Sequence, residues 1–232
     1  MNFSPTNEAA ELALAAYGQF DAFGRAPLQD ELTILNGDIH GFSASQANRF
    51  RLGYEIAAST FNDEKYTGYK TSFDVTAFAG RATANRNQLF LAIRGTQQID
   101  RSVEPNDLQA NLEIVQLHGA ATQIVAMYNW WQRASKTGRG DLPQYRIVSL
   151  QLGDPRPSGS TQLSGIRANP VNSWPAGDYL IRLPDALSTG ELANALSVDP
   201  DAKVVVVGSS MGGHLAMAFA GLFPSQVEQA MA

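Results

Sequence analysis

The stretch Val204-Val-Val-Val-Gly208-Ser209-Ser210-Met211-Gly212-Gly213-His214-Leu215-Ala216 decides how the chain is read. Four consecutive valines predict a strand buried on both faces, the kind that belongs to a parallel sheet. Beyond Ser210 the apolar residues Leu215, Ala218, Phe219 and Leu222 fall at helical spacing until Pro224 stops the run. A buried strand therefore turns sharply into a helix, with Ser210 at the corner. In that setting G-x-S-x-G has a mechanical meaning. The serine is expected in a strained backbone conformation, which Gly208 and Gly212 permit by letting strand and helix pass closely. Its Oγ would stand above the carboxyl edge of the sheet, and the N–H of Met211 would point to where a carbonyl oxygen becomes negative. The competing reading is a glycine-rich strand-to-helix turn with no chemistry; the valine run before it and the amphipathic helix after it favour the nucleophile.

Composition bounds the rest. The 232 residues suffice for one α/β domain with a full core, and 44% hydrophobic with 17% charged residues describes a globular chain with a weakly charged surface. A net charge of −5 without any basic cluster argues against a nucleic-acid ligand. The absence of cysteine removes disulfides, thiolate catalysis and cysteine zinc sites together. It fits either a cytoplasmic protein or one exported without disulfide formation. The start, Met1-Asn-Phe-Ser-Pro-Thr-Asn-Glu8, lacks the basic residues and apolar core of a signal peptide, and no stretch is long and apolar enough to span a bilayer.

Working outward from the valine strand, Leu89-Phe-Leu-Ala-Ile93 reads as a second deep strand, paired as an antiparallel hairpin with Phe73–Ala79 across the turn at Asn85-Arg-Asn87. Ala9, Leu12, Ala13, Ala16, Tyr17 and Phe20 form the apolar stripe of an N-terminal helix. Ser43 with Gln46 makes a capping box, and the stripe Ala47, Phe50, Tyr54, Ala57, Phe61 predicts a second helix from there to residue 61. A further helical pattern runs through Ala121, Ile124, Val125, Tyr128 and Trp131. The adjacent Trp130 and Trp131 project in different directions, which makes Trp131 the core candidate and leaves Trp130 partly buried or at an apolar edge. Tyr145–Leu150 and Tyr179–Leu183 read as strands, and the proline-bearing residues 153 to 177 between them as a lid, binding loop or excursion within an insertion over 139–187. Ser188 or Thr189 opens a short helix carrying Leu192 and Leu196.

A serine hydroxyl needs a base within hydrogen-bond reach and an acid to orient that base. After Ser210 the chain offers one histidine, His214, and one acid, Glu228. His214 hangs from the elbow helix, which points to a supporting role. His40 and His118 precede the nucleophile, against the serine, acid, histidine order of α/β-hydrolases.

Leu91-Ala-Ile-Arg94-Gly95-Thr96, followed by Gly208-Ser-Ser210-Met-Gly-Gly-His-Leu215, resembles the class 3 lipases, the fungal-lipase-like branch of the α/β-hydrolases, in its bacterial form G-S-S-[LM]-G-G-H-L-A. The resemblance covers residues 70 to 224 and departs at Ser209, where the common family elbow has histidine. It implies a mixed, mostly parallel sheet flanked by helices and hydrolysis of lipid-like acyl esters, as in a triacylglycerol lipase or phospholipase A1. Ser210 is then the nucleophile, and the N–H groups of Met211 and Thr96 form the oxyanion hole. No cofactor or metal enters the reading, and the partner is a lipid or small ester substrate met at a lipid interface. The resemblance further implies that the catalytic Asp and His lie beyond Ala232. The chain is then the N-terminal portion of a longer protein, with its sheet cut after the elbow helix, a feeble catalyst alone, and prone to expose the valine strand's edge. The alternative of another class is a non-catalytic lipid- or partner-binding module of the same fold.

Overall fold

A computed structural model describes residues 5–18, 20, 24–34, 41–61, 71, 73–81, 88–95, 98–99, 102–103, 120–137, 140–165, 177–193, 196 and 203–232. The elements in chain order are α1 (Pro5–Ala15), α2 (Gln29–Thr33), α3 (Ala44–Gly53), β1 (Tyr54–Phe61), β2 (Asp74–Gly80), β3 (Leu89–Ile93), the two-residue strands β4 (Gln98–Ile99) and β5 (Ser102–Val103), and α4 (Ala121–Ala134). They continue with β6 (Leu142–Leu150), β7 (Thr161–Gly165), β8 (Gly177–Ala186), β9 (Val204–Gly208), α5 (Met211–Leu222) and β10 (Val227–Met231). The architecture is mixed α/β.

The main sheet has the order β1-β2-β3-β9-β10. Its first two pairings are antiparallel and its last two parallel, so it is mixed rather than mostly parallel. The expected hairpin is present, with Val75 opposite Ile93 and Ala79 opposite Leu89. Alternation along β3 and β9 divides the core in two. Leu89, Leu91, Ile93, Val204 and Val206 face the layer of α4 and α5, whereas Phe90, Ala92, Val205 and Val207 face α1 and α3. Both strands are buried throughout, as the valine run required.

Three expectations are corrected. The helix from Ser43 has its capping box but ends at Gly53, and residues 54–61 are β1. Pairing with β2 along almost its whole length supplies backbone hydrogen bonds that a continued helix would forgo, and places Ile56 and Ala58 in the core. The sheet does not stop at the elbow helix: β10 follows it and pairs in parallel with β9, so the valine strand lies between two neighbours. Trp130 is neither partly buried nor at an edge. It is 4% exposed beside Trp131 at 2%.

Trp130 packs on Phe73 beside β2, with ring centroids 6.2 Å apart, and α4 as a whole has two partners. Its Trp131 packs edge-on against Phe219 of α5, with ring centroids 5.0 Å apart. Along another side Asn129 donates to the carbonyl of Tyr145 and accepts from its N–H, at 2.6 and 2.9 Å, and Arg133 donates to Gln144. Tyr145 and Gln144 belong to β6, which with β8 and β7 forms a separate antiparallel sheet in the order β6-β8-β7. Where a short helix is expected after Ser188, the Leu196 N–H donates to the carbonyl of Leu192, and the Leu192 N–H donates to the carbonyl of Ala134 at the end of α4. No described helix is long and apolar enough to cross a membrane.

Candidate active site

Ser210 has φ 56° and ψ −124°, and among the described residues it is the one non-glycine with positive φ. Such a conformation costs about 1–3 kcal/mol and persists only where its surroundings over-determine it. Those surroundings are backbone. A Cβ at Gly208 would overlap the carbonyl of Gly212, and one at Gly212 would overlap the carbonyl oxygen of Ile93 on the neighbouring strand. The roles expected of both glycines are thus visible as contacts. Sequence reading missed a third: a Cβ at Gly95 would lie 2.5 Å from the Ser209 carbonyl oxygen and 2.6 Å from the Tyr17 hydroxyl. The Arg94-Gly95 segment and the Gly208–Gly213 segment, far apart in sequence, therefore touch main chain to main chain.

Ser210 occupies the N-cap of α5, where serine ordinarily accepts a hydrogen bond from the first turn. Here its side chain makes no capping bond, and the residue is exposed. The hydroxyl is left available for chemistry. Met211 is the first residue of the helix, so its N–H has no intrahelical acceptor and lies at the positive end of the helix dipole. Its side chain is buried, which fixes that amide against the core. Thr96, the other expected oxyanion donor, lies outside the described residues; its neighbour Gly95 is in place against Ser209.

Behind Gly95 a buried ion pair joins two strands. Arg94 meets Asp74 at 3.0 Å with side chains 9% and 7% exposed, and the Arg94 N–H donates to the Asp74 carbonyl. A buried pair of this kind gives little net stability but penalises any arrangement that separates it, so it fixes the register of β2 and β3 where the chain enters Gly95. The signal in the sequence was faint: a charged residue at each of two strand ends predicted to be adjacent.

Among the described residues the structure brings no base to Ser210. His214 lies one turn into α5; its main-chain N–H donates to the Ser210 carbonyl, while its Nε2 is buried with no hydrogen-bond partner, so Nε2 does not reach Ser210 Oγ. Glu228 accepts from Gln88 at 3.0 Å, beside the start of β3. That is the amino end of the parallel strands, about 13 Å of strand from the elbow, which removes Glu228 as the orienting acid. His40 and His118 lie outside the described residues. Among the described residues no three His, Asp or Glu side chains converge on a metal-sized site.

No family model, curated protein or solved structure matches this chain.

Proposed function

We propose that the chain carries the nucleophile of a serine ester hydrolase of α/β-hydrolase type, resembling the class 3 lipases. The observation that carries the reading is the conformation of Ser210, strained and exposed, with its hydroxyl unused by the helix it caps. The strand order around it, with β3 and β9 adjacent, parallel and both ending at the elbow, supports the same fold assignment.

In this reading Ser210 Oγ attacks the ester carbonyl carbon, and the carbonyl π electrons move onto oxygen. The amides of Met211 and Thr96 receive the resulting negative charge; loss of one such donor typically costs about 3 kcal/mol of barrier. The Oγ proton passes to a histidine oriented by a carboxylate, neither of which is among the residues described around Ser210. The test is covalent. A fluorophosphonate probe should label Ser210 in the full-length protein and fail to label Ser210→Ala; equal labelling of the two proteins refutes the assignment.

One observation favours the second reading, a lipid-binding module without catalysis: the one described histidine, His214, does not reach Oγ. A protein that binds lipid while its serine stays inert to the probe would be that module.

A further inference from the structure

Gly95 is closed over by two oxygens from distant parts of the chain, the Ser209 carbonyl and the Tyr17 hydroxyl. We propose that Tyr17 is a positioning residue of the oxyanion site: its hydroxyl, set against Gly95, fixes the peptide unit that carries the Thr96 N–H. The inference rests on the serine-hydrolase reading and adds to it a residue that neither sequence motif contains.

The first argument is what Gly95 needs. The Thr96 N–H belongs to the same planar peptide unit as the Gly95 carbonyl, so its direction follows rotation at the Gly95 Cα. Glycine resists that rotation less than any other residue. An oxyanion donor stabilises developing charge only when it is already aimed, so the restraint has to come from outside the strand. Gly95 is buried, and the two oxygens fill the space in which another residue would carry its side chain. One belongs to the residue before the nucleophile. The other is the Tyr17 atom nearest to that space, and phenylalanine would keep the ring but lack it.

The second argument is how firmly the phenol is mounted. Tyr17 follows α1 directly, and the N–H groups of Ala16, Tyr17 and Gly18 donate to Leu12, Leu14 and Ala15 at 3.1, 3.2 and 2.9 Å, which carries the helical turn through it. Ala15, Ala16 and Gly18 are buried on either side, and Phe20 packs edge-on against Phe78 of β2 with ring centroids 5.6 Å apart. A Cβ at Gly18 would overlap the Phe20 ring and the Glu31 carbonyl oxygen, so the chain leaving Tyr17 has no room to shift. Leu12, Ala15 and Ala16 share one core layer with Ala92 of β3 and Val207 of β9. The phenol is thus fixed to the two strands that meet at the elbow.

The experiment separates aim from binding. Turnover of p-nitrophenyl acetate by the full-length protein is measured for wild type, Tyr17→Phe and Phe20→Leu, at a temperature where near-UV circular dichroism shows all three folded. Loss of aim acts on the transition state alone, so Tyr17→Phe should lower kcat roughly tenfold to a hundredfold while KM stays within about twofold. Phe20→Leu loosens the same turn but leaves the Tyr17 hydroxyl in place, and should keep the wild-type kcat. A wild-type kcat in Tyr17→Phe, whatever its KM, or an equal loss of kcat in both variants, overturns the proposal and leaves the hydrolase reading standing. A wild-type protein that turns over no ester, or whose turnover survives Ser210→Ala, sinks the hydrolase reading and this inference with it.

Discussion

The elbow and the α4 region both bury aromatic and aliphatic residues against the same sheet, yet they are held together by different means. Around Ser210 the close contacts are main chain on main chain: Gly208 on Gly212, Gly212 on Ile93, Gly95 on Ser209. Around α4 they are side chains, with Trp131 on Phe219 and Phe223, Trp130 on Phe73, and Asn129 and Arg133 hydrogen-bonded to β6. Backbone contact leaves no slack, which is why a strained φ can persist at the elbow. Side-chain contact adapts, which lets one helix satisfy two sheets at once. The difference teaches that the elbow should fail abruptly under small changes and the α4 region in proportion to what is removed.

Gly212→Ala is the sharpest way to break this contrast. Inside a helix alanine is favoured over glycine by about 1 kcal/mol, so propensity alone predicts stabilisation. The added methyl would instead overlap the carbonyl oxygen of Ile93, and neither backbone can move without parting β3 from β9. Overlap should win, and the variant should show no cooperative urea transition. A variant that folds at wild-type stability would mean the close approach is not required.

In the α4 region Trp130→Ala should cost about 3–5 kcal/mol, the usual range for emptying a large buried aromatic site. An edge tryptophan would cost well under that, so urea denaturation of this single variant separates full burial of Trp130 from an edge position. A loss below about 1 kcal/mol would restore the edge position that helical spacing alone suggests.

The same contrast explains what could be read from the sequence. The elbow, the glycines and the β2–β3 hairpin were legible because their determinants are local: a valine run, a glycine spacing, two apolar runs around a polar turn. The full burial of Trp130 was not, because it depends on packing against Phe73 beside β2, and nothing in the periodicity of residues 121–134 reports that tertiary contact. Residues 54–61 were misread as helix for a related reason. Tyr54, Ala57 and Phe61 fall at helical spacing, and a register shift between Ile56 and Ala58 puts them in opposite core layers, so no clean alternation marks the strand and only pairing with β2 decides. β10 was missed because Val227-Glu-Gln-Ala-Met231 carries little apolar signal and earns its place through β9. The elbow was legible as far as Ser210 at the corner and Met211 at the helix start. Tyr17, Gly95 and the Asp74–Arg94 pair meet it only through tertiary contact.

A smaller effect of opposite sign is expected at Ser210 itself. Glycine at position 210 relieves a strain of about 1–3 kcal/mol and gives back about 0.5–1 kcal/mol in unfolded-chain entropy. Ser210→Gly should therefore be more stable than wild type by roughly 1 kcal/mol. The readout is a higher urea midpoint at unchanged slope. A destabilised variant would show that the serine makes favourable contacts outweighing its backbone strain, and the comparison with α4 would lose its premise.

The smallest expected effect probes the adaptable region by pH. Tyr128 of α4 lies edge-on to Tyr145 of β6 at 5.9 Å, and burial, followed by the neighbouring Tyr145 charge, raises its phenol above the ordinary value of 10.0. The folded state thus holds this proton more tightly than the unfolded state. Below pH 10 both states are protonated and the full contribution to stability is present; as pH rises past that value the unfolded chain ionises first, and stability falls until the folded phenol ionises too. Tyr128→Phe removes this proton and should flatten the decline of the urea midpoint between pH 9 and 11 relative to wild type. Because the ring is only half-buried the change should be modest, far from the all-or-none response expected at Gly212. Parallel pH profiles for the two proteins would show that α4 and β6 do not shield this phenol from water, and that their contact is looser than the hydrogen bonds of Asn129 imply.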